Sequence, residues 1–380
     1  MICSVRRSRS TRLKKPSVPL SLHSPSSILS LFVITMSALP DSALILVSGA
    51  NGYFGSHIVD VLLALNVSKG KKYRVRGTVR ENKPWLNQYF ENKYGPGMFE
   101  TVVVPDIRVD GAFDTALNGV DGVIHVAGEM SMAADPEGVI GGTKKATVNI
   151  MSAAAAHNVK RFVLTSSSTA VDLPSTAITG NAKRGRIDKN SWNDAAVTAA
   201  WSDDTPAAAR GWLTYSAAKT EGERTAWQWF RENKPSFGLN AVLPNCLWGR
   251  VLSPAYQGST MSLIRDFWKG NYSGMQILQP AYFINVDDAA RLHVAALLDG
   301  SIKEERIFAY ADQFCWTEVL GILHKLRPGL ALPDAPKCET LDCSDIVEQP
   351  RAEAILKSFF GQATWTSLEQ TIAEGIEDLA

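Results

Sequence analysis

Cysteine is scarce in this chain, at 5 of 380 residues. Cys3, Cys246, Cys315, Cys338 and Cys343 are an odd number spread thinly, which argues for reduced thiols rather than a disulfide framework. Only Cys338 and Cys343 lie close together, and a C-x4-C without a second Cys or His pair is poor zinc chemistry, so no metal site is expected. Excess charge is missing as well: 39 Lys and Arg against 38 Asp and Glu leave a formal +1, which excludes a polycationic nucleic-acid binder. The apolar run from Ile28 to Ile34 falls far short of the ~20 residues that cross a membrane. There is no internal repeat and no coiled-coil heptad. What is present is 45% hydrophobic and 20% charged residues, enough to bury a large core in one large domain or two smaller ones.

From Ala43 the chain reads as an apolar burst to Val47, a glycine-rich turn from Ser48 to Gly55, and an amphipathic run from Ser56 to Leu65: strand, turn, helix. Further bursts follow at Tyr73 to Val79, Phe99 to Val104, Gly122 to Ala127, Arg161 to Thr165 and Leu239 to Leu243, with helical patterns such as Thr143 to His157 between them. Strands that are apolar throughout and alternate with helices predict an α/β fold with a doubly wound, Rossmann-type parallel sheet covered on both faces. The segment Asp172 to Trp212 reads as a long loop insertion. After about residue 250 the alternation weakens into a smaller C-terminal region.

Gly49, Gly52 and Gly55 make G-x-x-G-x-x-G between strand and helix. Such glycines permit a tight turn and let the backbone approach a pyrophosphate at the positive end of the helix. Gly49, Asn51, Gly52, Tyr53, Phe54 and Gly55 are therefore candidate dinucleotide-binding residues. An NAD site usually carries an acid near the tip of the next strand. Here that strand ends Val79-Arg80, with no acid until Glu81, so Arg80, with Lys83, is expected to hold a 2′-phosphate and the cofactor to be NADPH/NADP+. An arginine at a strand end also fits an ordinary surface charge. Asp106 and Ile107, at the end of the third burst, would border the adenine; Asp106 equally fits a turn after Pro105.

Tyr215 and Lys219 form Y-x-x-x-K, a spacing that stacks both side chains on one helix face. An ammonium one turn away favours the phenolate, and moving a tyrosine from ~10 towards ~7 corresponds to roughly 4 kcal/mol. The motif is common by chance. It gains weight from Arg161 to Ala170, a buried-type strand ending in Thr165-Ser166-Ser167-Ser168-Thr169, whose hydroxyls would face the crevice at the sheet's carboxyl end.

Together these residues resemble the extended short-chain dehydrogenases/reductases, and within them the dihydroflavonol-reductase-like branch that includes fungal NADPH-dependent ketone and aldehyde reductases. The glycine turn, Val75 to Arg80, His125-Val126-Ala127-Gly128, Thr165-Ser166-Ser167, Tyr215-x-x-x-Lys219, Leu243-Pro244-Asn245 with Gly249, and Phe283 to Asp288 carry the resemblance, which spans about residues 43 to 300. It implies that Tyr215 donates a proton, Lys219 binds the nicotinamide ribose, and Ser167, the second serine of Thr165-Ser166-Ser167, binds the substrate carbonyl. Ser166 and Ser168 remain alternatives to Ser167. Ala127 would lie beside the cofactor, and Pro244 to Leu247 would contact the nicotinamide through backbone groups. The separation between Ser167 and Tyr215 is longer than in the plant flavonoid enzymes, so the intervening loop should form part of the pocket wall.

The expected activity is reduction of a carbonyl on a bulky apolar, polyketide-type small molecule by a monomer or homodimer. Nucleotide-sugar epimerase/dehydratase chemistry and a non-catalytic NADP sensor are the alternatives. Asp287 and Asp288 read as a helix cap, His125 and His293 as core or cofactor-adjacent, and the tryptophans at 192, 201, 212, 248 and 268 mostly as packing. The expected division is an extension over 1–40 without fold of its own, a nucleotide-binding part over 41–250 to which 284–299 returns, and a substrate-binding region over 251–380. Residues 1 to 35 carry Arg6, Arg7, Arg9, Arg12, Lys14 and Lys15 and no acid, leaving net −5 on the rest. A plain extension before Met36 is the favoured reading, with a mitochondrial transit peptide next and a secretory signal last. The favoured compartment is the cytoplasm.

Overall fold

The apolar bursts become strands whose alternate residues enter two separate cores. The computed structural model describes residues 37–173, 185–253, 255–256 and 260–379. The strands are β1 (Leu44–Ser48), β2 (Arg74–Val79), β3 (Phe99–Val103), β4 (Gly122–His125), β5 (Arg161–Thr165), β6 (Arg186–Ile187), β7 (Gly238–Pro244), β8 (Cys246–Trp248), β9 (Tyr282–Asn285), β10 (Arg306–Ala309), β11 (Asp312–Gln313) and β12 (Asp345–Ile346). The helices are α1 (Tyr53–Lys69), α2 (Pro84–Tyr94), α3 (Pro136–Ala156), α4 (Asp194–Trp201), α5 (Ala207–Asn233), α6 (Thr260–Arg265), α7 (Gly274–Ile277), α8 (Val286–Leu298), α9 (Trp316–Leu326), α10 (Gln349–Ile355) and α11 (Leu368–Gly375).

Seven strands form one parallel sheet in the order β10-β7-β5-β4-β1-β2-β3. Ile45 and Val47 of β1, Ile124, Val163 and Val242 face one core, which α1 and α8 also line. Leu44 and Leu46, Val123, Phe162, Leu164 and Leu243 face the other, with Ile150 of α3 and Trp227 of α5. This two-residue alternation is the pleat itself, and burial of each such side chain stabilises the fold by roughly 1.5–3 kcal/mol. The strand order reverses between β1 and β4, so the crevice of a doubly wound sheet opens at the carboxyl ends of those strands.

Several expectations need correction. Leu39 is buried and Ala38 N–H donates to Leu298 O at 2.8 Å, so ordered chain begins inside the stretch assigned to the extension. The three readings of the N-terminal segment otherwise fall on residues outside the described ones. The supposed loop from 172 to 212 contains β6, all of α4 and the start of α5; residues 174–184 lie outside the description. Alanine-rich Asp194–Trp201 is a good helix former capped by Asn193, whose side chain accepts from Ala196 N–H at 2.9 Å, and small residues gave no periodic signal to reveal it. β6 pairs with β12, tying this segment to the C-terminal part. The sheet also recruits β10, from within the stretch assigned to substrate binding. Asp287 and Asp288 are not the cap of α8: Asn285 is, accepting from Asp287 N–H at 2.8 Å. Asp287 instead meets the buried His57 at 2.6 Å, and burial of Asp288 is met by Arg291, Gln362 and Thr366.

Candidate active site

The glycine turn is held from both neighbouring strands. Thr78 of β2 accepts from Gly49 N–H at 3.3 Å and, through its carbonyl, from Ala50 N–H at 3.2 Å. Gly49 sits at φ +69°, a conformation that costs a side-chain-bearing residue, and a Cβ on Gly55 would lie 2.2 Å from Gly49 O. α1 then starts with no capping side chain and no acid in its first turn, so its free N–H groups and positive end are open to an anion. The side chains of Tyr53 and Phe54 turn into the core, Tyr53 donating to Gly249 O at 3.0 Å and Phe54 lying edge-on to His293, which leaves only their backbone groups to face a ligand.

At the end of β1, Ser48 Oγ accepts from Val126 N–H and Ala127 N–H, both at 2.9 Å, so its own proton goes to His125 Nδ1 at 2.8 Å. That fixes a neutral imidazole, and burial holds His125 down to about 3. Ala127 packs against Gly49, at 3.3 Å from where a Cβ would stand.

The hydroxyl run after β5 sorts itself by partner. Thr165 Oγ1 donates to His293 Nε2 at 3.0 Å, because the other ring nitrogen donates to Ala289 O at 2.8 Å. Ser166 Oγ donates to the buried Glu223 at 2.7 Å. Ser168 lies beside the hydroxyl of Tyr310 and favours its ionised form against burial. Of the three serines, Ser167 is the one beside the hydroxyl of Tyr215, whose ionised form it favours. Its oxygen also accepts from Thr169 N–H at 3.2 Å and Thr169 Oγ1 at 3.0 Å, so its lone pairs are occupied and its proton is what it has to offer.

Tyr215 and Lys219 stand one turn apart on α5, the ammonium 5.9 Å from the phenol ring centroid and 3.6 Å from where a Gly128 Cβ would be. Lys219 makes no hydrogen bond or ion pair among the described residues. Burial pulls its ammonium down to about 8 against an upward pull from Glu223. The expected lowering of Tyr215 is not found: burial raises it, Ser167 opposes, and the lysine charge does not offset the desolvation. Tyr215 therefore holds its proton at neutral pH. Trp212 stacks on the Tyr215 ring at 5.6 Å between centroids. Met132 approaches α5 one turn before the tyrosine, where a Cβ on Gly211 would come within 2.2 Å of the Met132 carbonyl oxygen. Met130 and Met132, which follow Gly128 in sequence, carry exposed apolar side chains, 53% and 39% accessible.

Among the other expected residues, Arg80 is exposed at the tip of β2 and makes no hydrogen bond or ion pair among the described residues, its charge acting on neighbouring Glu81. Lys83 is engaged by Glu81 at 2.5 Å. Asp106 is clasped by Arg108 through two bonds of 2.9 Å, which holds its carboxyl down to about 2. Ile107 is half-buried, Asn51 half-buried in the turn, Pro244 ends β7, and Leu247 lies in β8 with its carbonyl accepting from Thr260 at 2.7 Å. Of the tryptophans, Trp248 is core, Trp192 lies under Arg306, and Trp201 is exposed. Glu223 was missed, though it continues the stripe of Tyr215 and Lys219 by one further turn. Among the described residues no group of His, Cys, Asp and Glu is arranged to hold a metal, and no helix is long and apolar enough to cross a membrane.

Residues 45–309 match the model of the NAD dependent epimerase/dehydratase family. The chain is 42% identical over 340 residues to ketoreductase nvfG of Aspergillus novofumigatus, covering 89% of this chain and 97% of that protein. It is 36% identical over 350 residues to aldehyde reductase 2 of Sporidiobolus salmonicolor, covering 90% and 97%. Its fold resembles that of yeast methylglyoxal/isovaleraldehyde reductase Gre2 complexed with NADPH, with a TM-score of 0.67 at 22% identity over 88% of this chain and 98% of that one.

Proposed function

The chain belongs to the NAD dependent epimerase/dehydratase family, and we propose that it reduces a ketone or aldehyde on a bulky apolar substrate to the alcohol, with NADPH as reductant. It is an oxidoreductase, as are relatives named ketoreductase and aldehyde reductase. The observation that carries the reading is the placing of Ser167, Tyr215 and Lys219 together, the ammonium 5.9 Å from the phenol ring centroid and without a hydrogen bond or ion pair among the described residues.

Support for the nucleotide comes from the turn, which has no room for a Cβ at Gly55, from the uncapped start of α1, and from Arg80, whose guanidinium is free to meet a 2′-phosphate. A reduced nicotinamide supplies hydride to the carbonyl carbon. Ser167 O–H hydrogen-bonds the carbonyl oxygen and polarises it, Tyr215 transfers the phenolic proton to that oxygen as negative charge develops there, and hydride plus proton completes the alcohol. Lys219 offers its ammonium to a ribose hydroxyl and stabilises the tyrosinate left behind. Met130, Met132 and Trp212 provide an apolar flank suited to a polyketide-type substrate of specialised metabolism. The division of labour belongs to this proposal: nucleotide within 41–250 with 284–299, substrate largely against 251–380, aided by those three side chains. The cytoplasm, with its pool of reduced nicotinamide, is the proposed setting.

Nucleotide-sugar dehydration needs a free acid pair beside the hydroxyls, and Glu223 is committed to Ser166, Trp227 and Arg306. The test is loss of reduced-nicotinamide absorbance with aryl ketones, aldehydes and nucleotide sugars. Turnover is expected with the first two, and Tyr215→Phe should abolish it while NADPH still binds. Full activity in Tyr215→Phe, or turnover confined to nucleotide sugars, overturns the reading.

A further inference from the structure

A buried ion pair lies directly behind the hydroxyl centre. Glu223, 1% exposed, continues the helical stripe of Tyr215 and Lys219 on α5. Its Oε1 accepts from Arg306 Nε at 2.7 Å and Trp227 Nε1 at 3.1 Å; its Oε2 accepts from Ser166 Oγ at 2.7 Å and Arg306 Nη2 at 3.1 Å. Arg306 comes from the edge strand β10, its guanidinium lies 3.9 Å from the Trp192 ring centroid, and it donates to the carbonyls of Lys189 and Ser191, both at 2.8 Å. One carboxylate thus joins α5, the end of β5, β10 and the segment leading into α4.

Stability alone does not account for this pair. Desolvating two charges costs about as much as their attraction returns, and well-packed apolar side chains of similar volume are often as stable or more so. Its geometry has another consequence. Ser166 and Ser167 are consecutive residues just beyond β5, and their hydroxyls meet two members of one α5 stripe, Ser166 at Glu223 and Ser167 at Tyr215. Anchoring Ser166 Oγ to Glu223 holds the backbone from which Ser167 Oγ reaches towards Tyr215, two turns earlier on the same helix.

We propose that Glu223 is a positioning residue for carbonyl reduction: through Ser166 it sets the aim of Ser167, and through its charge it keeps Lys219 an ammonium. The electrostatic half follows from what surrounds the lysine. His125 of β4 is a neutral imidazole and Cys246 of β8, beside Tyr215, is a neutral thiol, burial pushing it up to about 12. Tyr215 keeps its proton, and Arg306 stands behind Glu223 with the same sign as the lysine. Glu223 is the carboxylate in this set, and it opposes the burial that draws Lys219 down to about 8.

The inference rests on the carbonyl-reductase reading, and three variants of the full chain test it. Ser166→Ala cuts the tether without touching a charge; kcat should fall ~10-fold or more, because small misalignments of reacting groups are costly, with NADPH affinity unchanged. Glu223→Gln keeps an acceptor for Ser166 and removes the charge; the alkaline fall-off of both kcat and NADPH affinity should move down by ~1 pH unit. The double variant Glu223→Met/Arg306→Met removes the pair without leaving a lone buried charge; it should melt at or above the wild-type temperature yet show both defects. A double variant with wild-type kcat and pH profile overturns the proposal and leaves the pair purely architectural. Absence of wild-type turnover with any carbonyl overturns the reductase reading instead, and the pH dependence of NADPH binding in Glu223→Gln still decides the charge role.

Discussion

Replacing Gly55 by alanine puts a methyl group 2.2 Å from Gly49 O, 2.9 Å from Gly49 C and 3.1 Å from Ala50 Cα. All three are backbone atoms, so no side chain can swing aside. Relief requires the Gly49 carbonyl to retreat by about an ångström, yet Gly49 is pinned at φ +69° and its other side already meets Ala127, 3.3 Å from where a Cβ would stand. Forcing extra volume into such a site costs ~1–3 kcal/mol. If the strain falls on the turn, NADPH binding weakens by a factor of roughly 5 to 150, since ~1.4 kcal/mol is tenfold. Gly52→Ala is the matched control, because its methyl would lie 3.3 Å from Gly49 O, a tight but tolerable approach. Melting of the nucleotide-free proteins should show Gly55→Ala a few degrees below wild type and Gly52→Ala close to it. Fluorescence titration with NADPH should show both weakened, Gly52→Ala because in the proposed site its methyl would crowd the pyrophosphate. A Gly55→Ala protein with wild-type melting and affinity would refute the close-approach reasoning.

Arg80→Ala should raise the dissociation constant for NADPH by ~10-fold to 100-fold, the worth of a charge-assisted bond of ~1.5–3 kcal/mol, and leave NADH nearly unaffected; equal effects on the two would remove Arg80 from 2′-phosphate recognition. Acid should destabilise the fold before its carboxylates titrate. Burial holds His125 down to about 3 and His293 to about 4, whereas both take up protons near 6.5 once unfolded. The native chain therefore binds fewer protons than the unfolded one between those values, so stability is complete above pH ~6.5 and falls as pH drops towards about 4. At pH 5 each histidine withdraws ~2 kcal/mol, and a melting temperature flat between pH 7 and pH 5 would contradict the neutral assignments.

The features legible without coordinates were those written in short spacings. Apolar runs of strand length, three glycines placed between strand and helix, and Tyr215 four residues before Lys219 each follow from backbone geometry that acts over a turn or two. These were sufficient for the parallel sheet, the glycine turn and the placing of Tyr215 and Lys219 on one helix. Even α4, eight residues long, escaped notice because its small side chains left no apolar period. What depended on contacts between distant segments was decided only by the tertiary structure. Three consecutive serines are equivalent in sequence, and they part company because α5 brings Glu223 and Tyr215 to two of them and the chain after β10 brings Tyr310 to the third. Arg306 finds Glu223 across 83 residues. The rise of Tyr215 in place of the expected fall has the same origin: spacing reported the nearby ammonium, but desolvation depends on everything packed around the phenol. Local spacing determined which groups this protein has for chemistry, and long-range packing determined which of them are free to perform it.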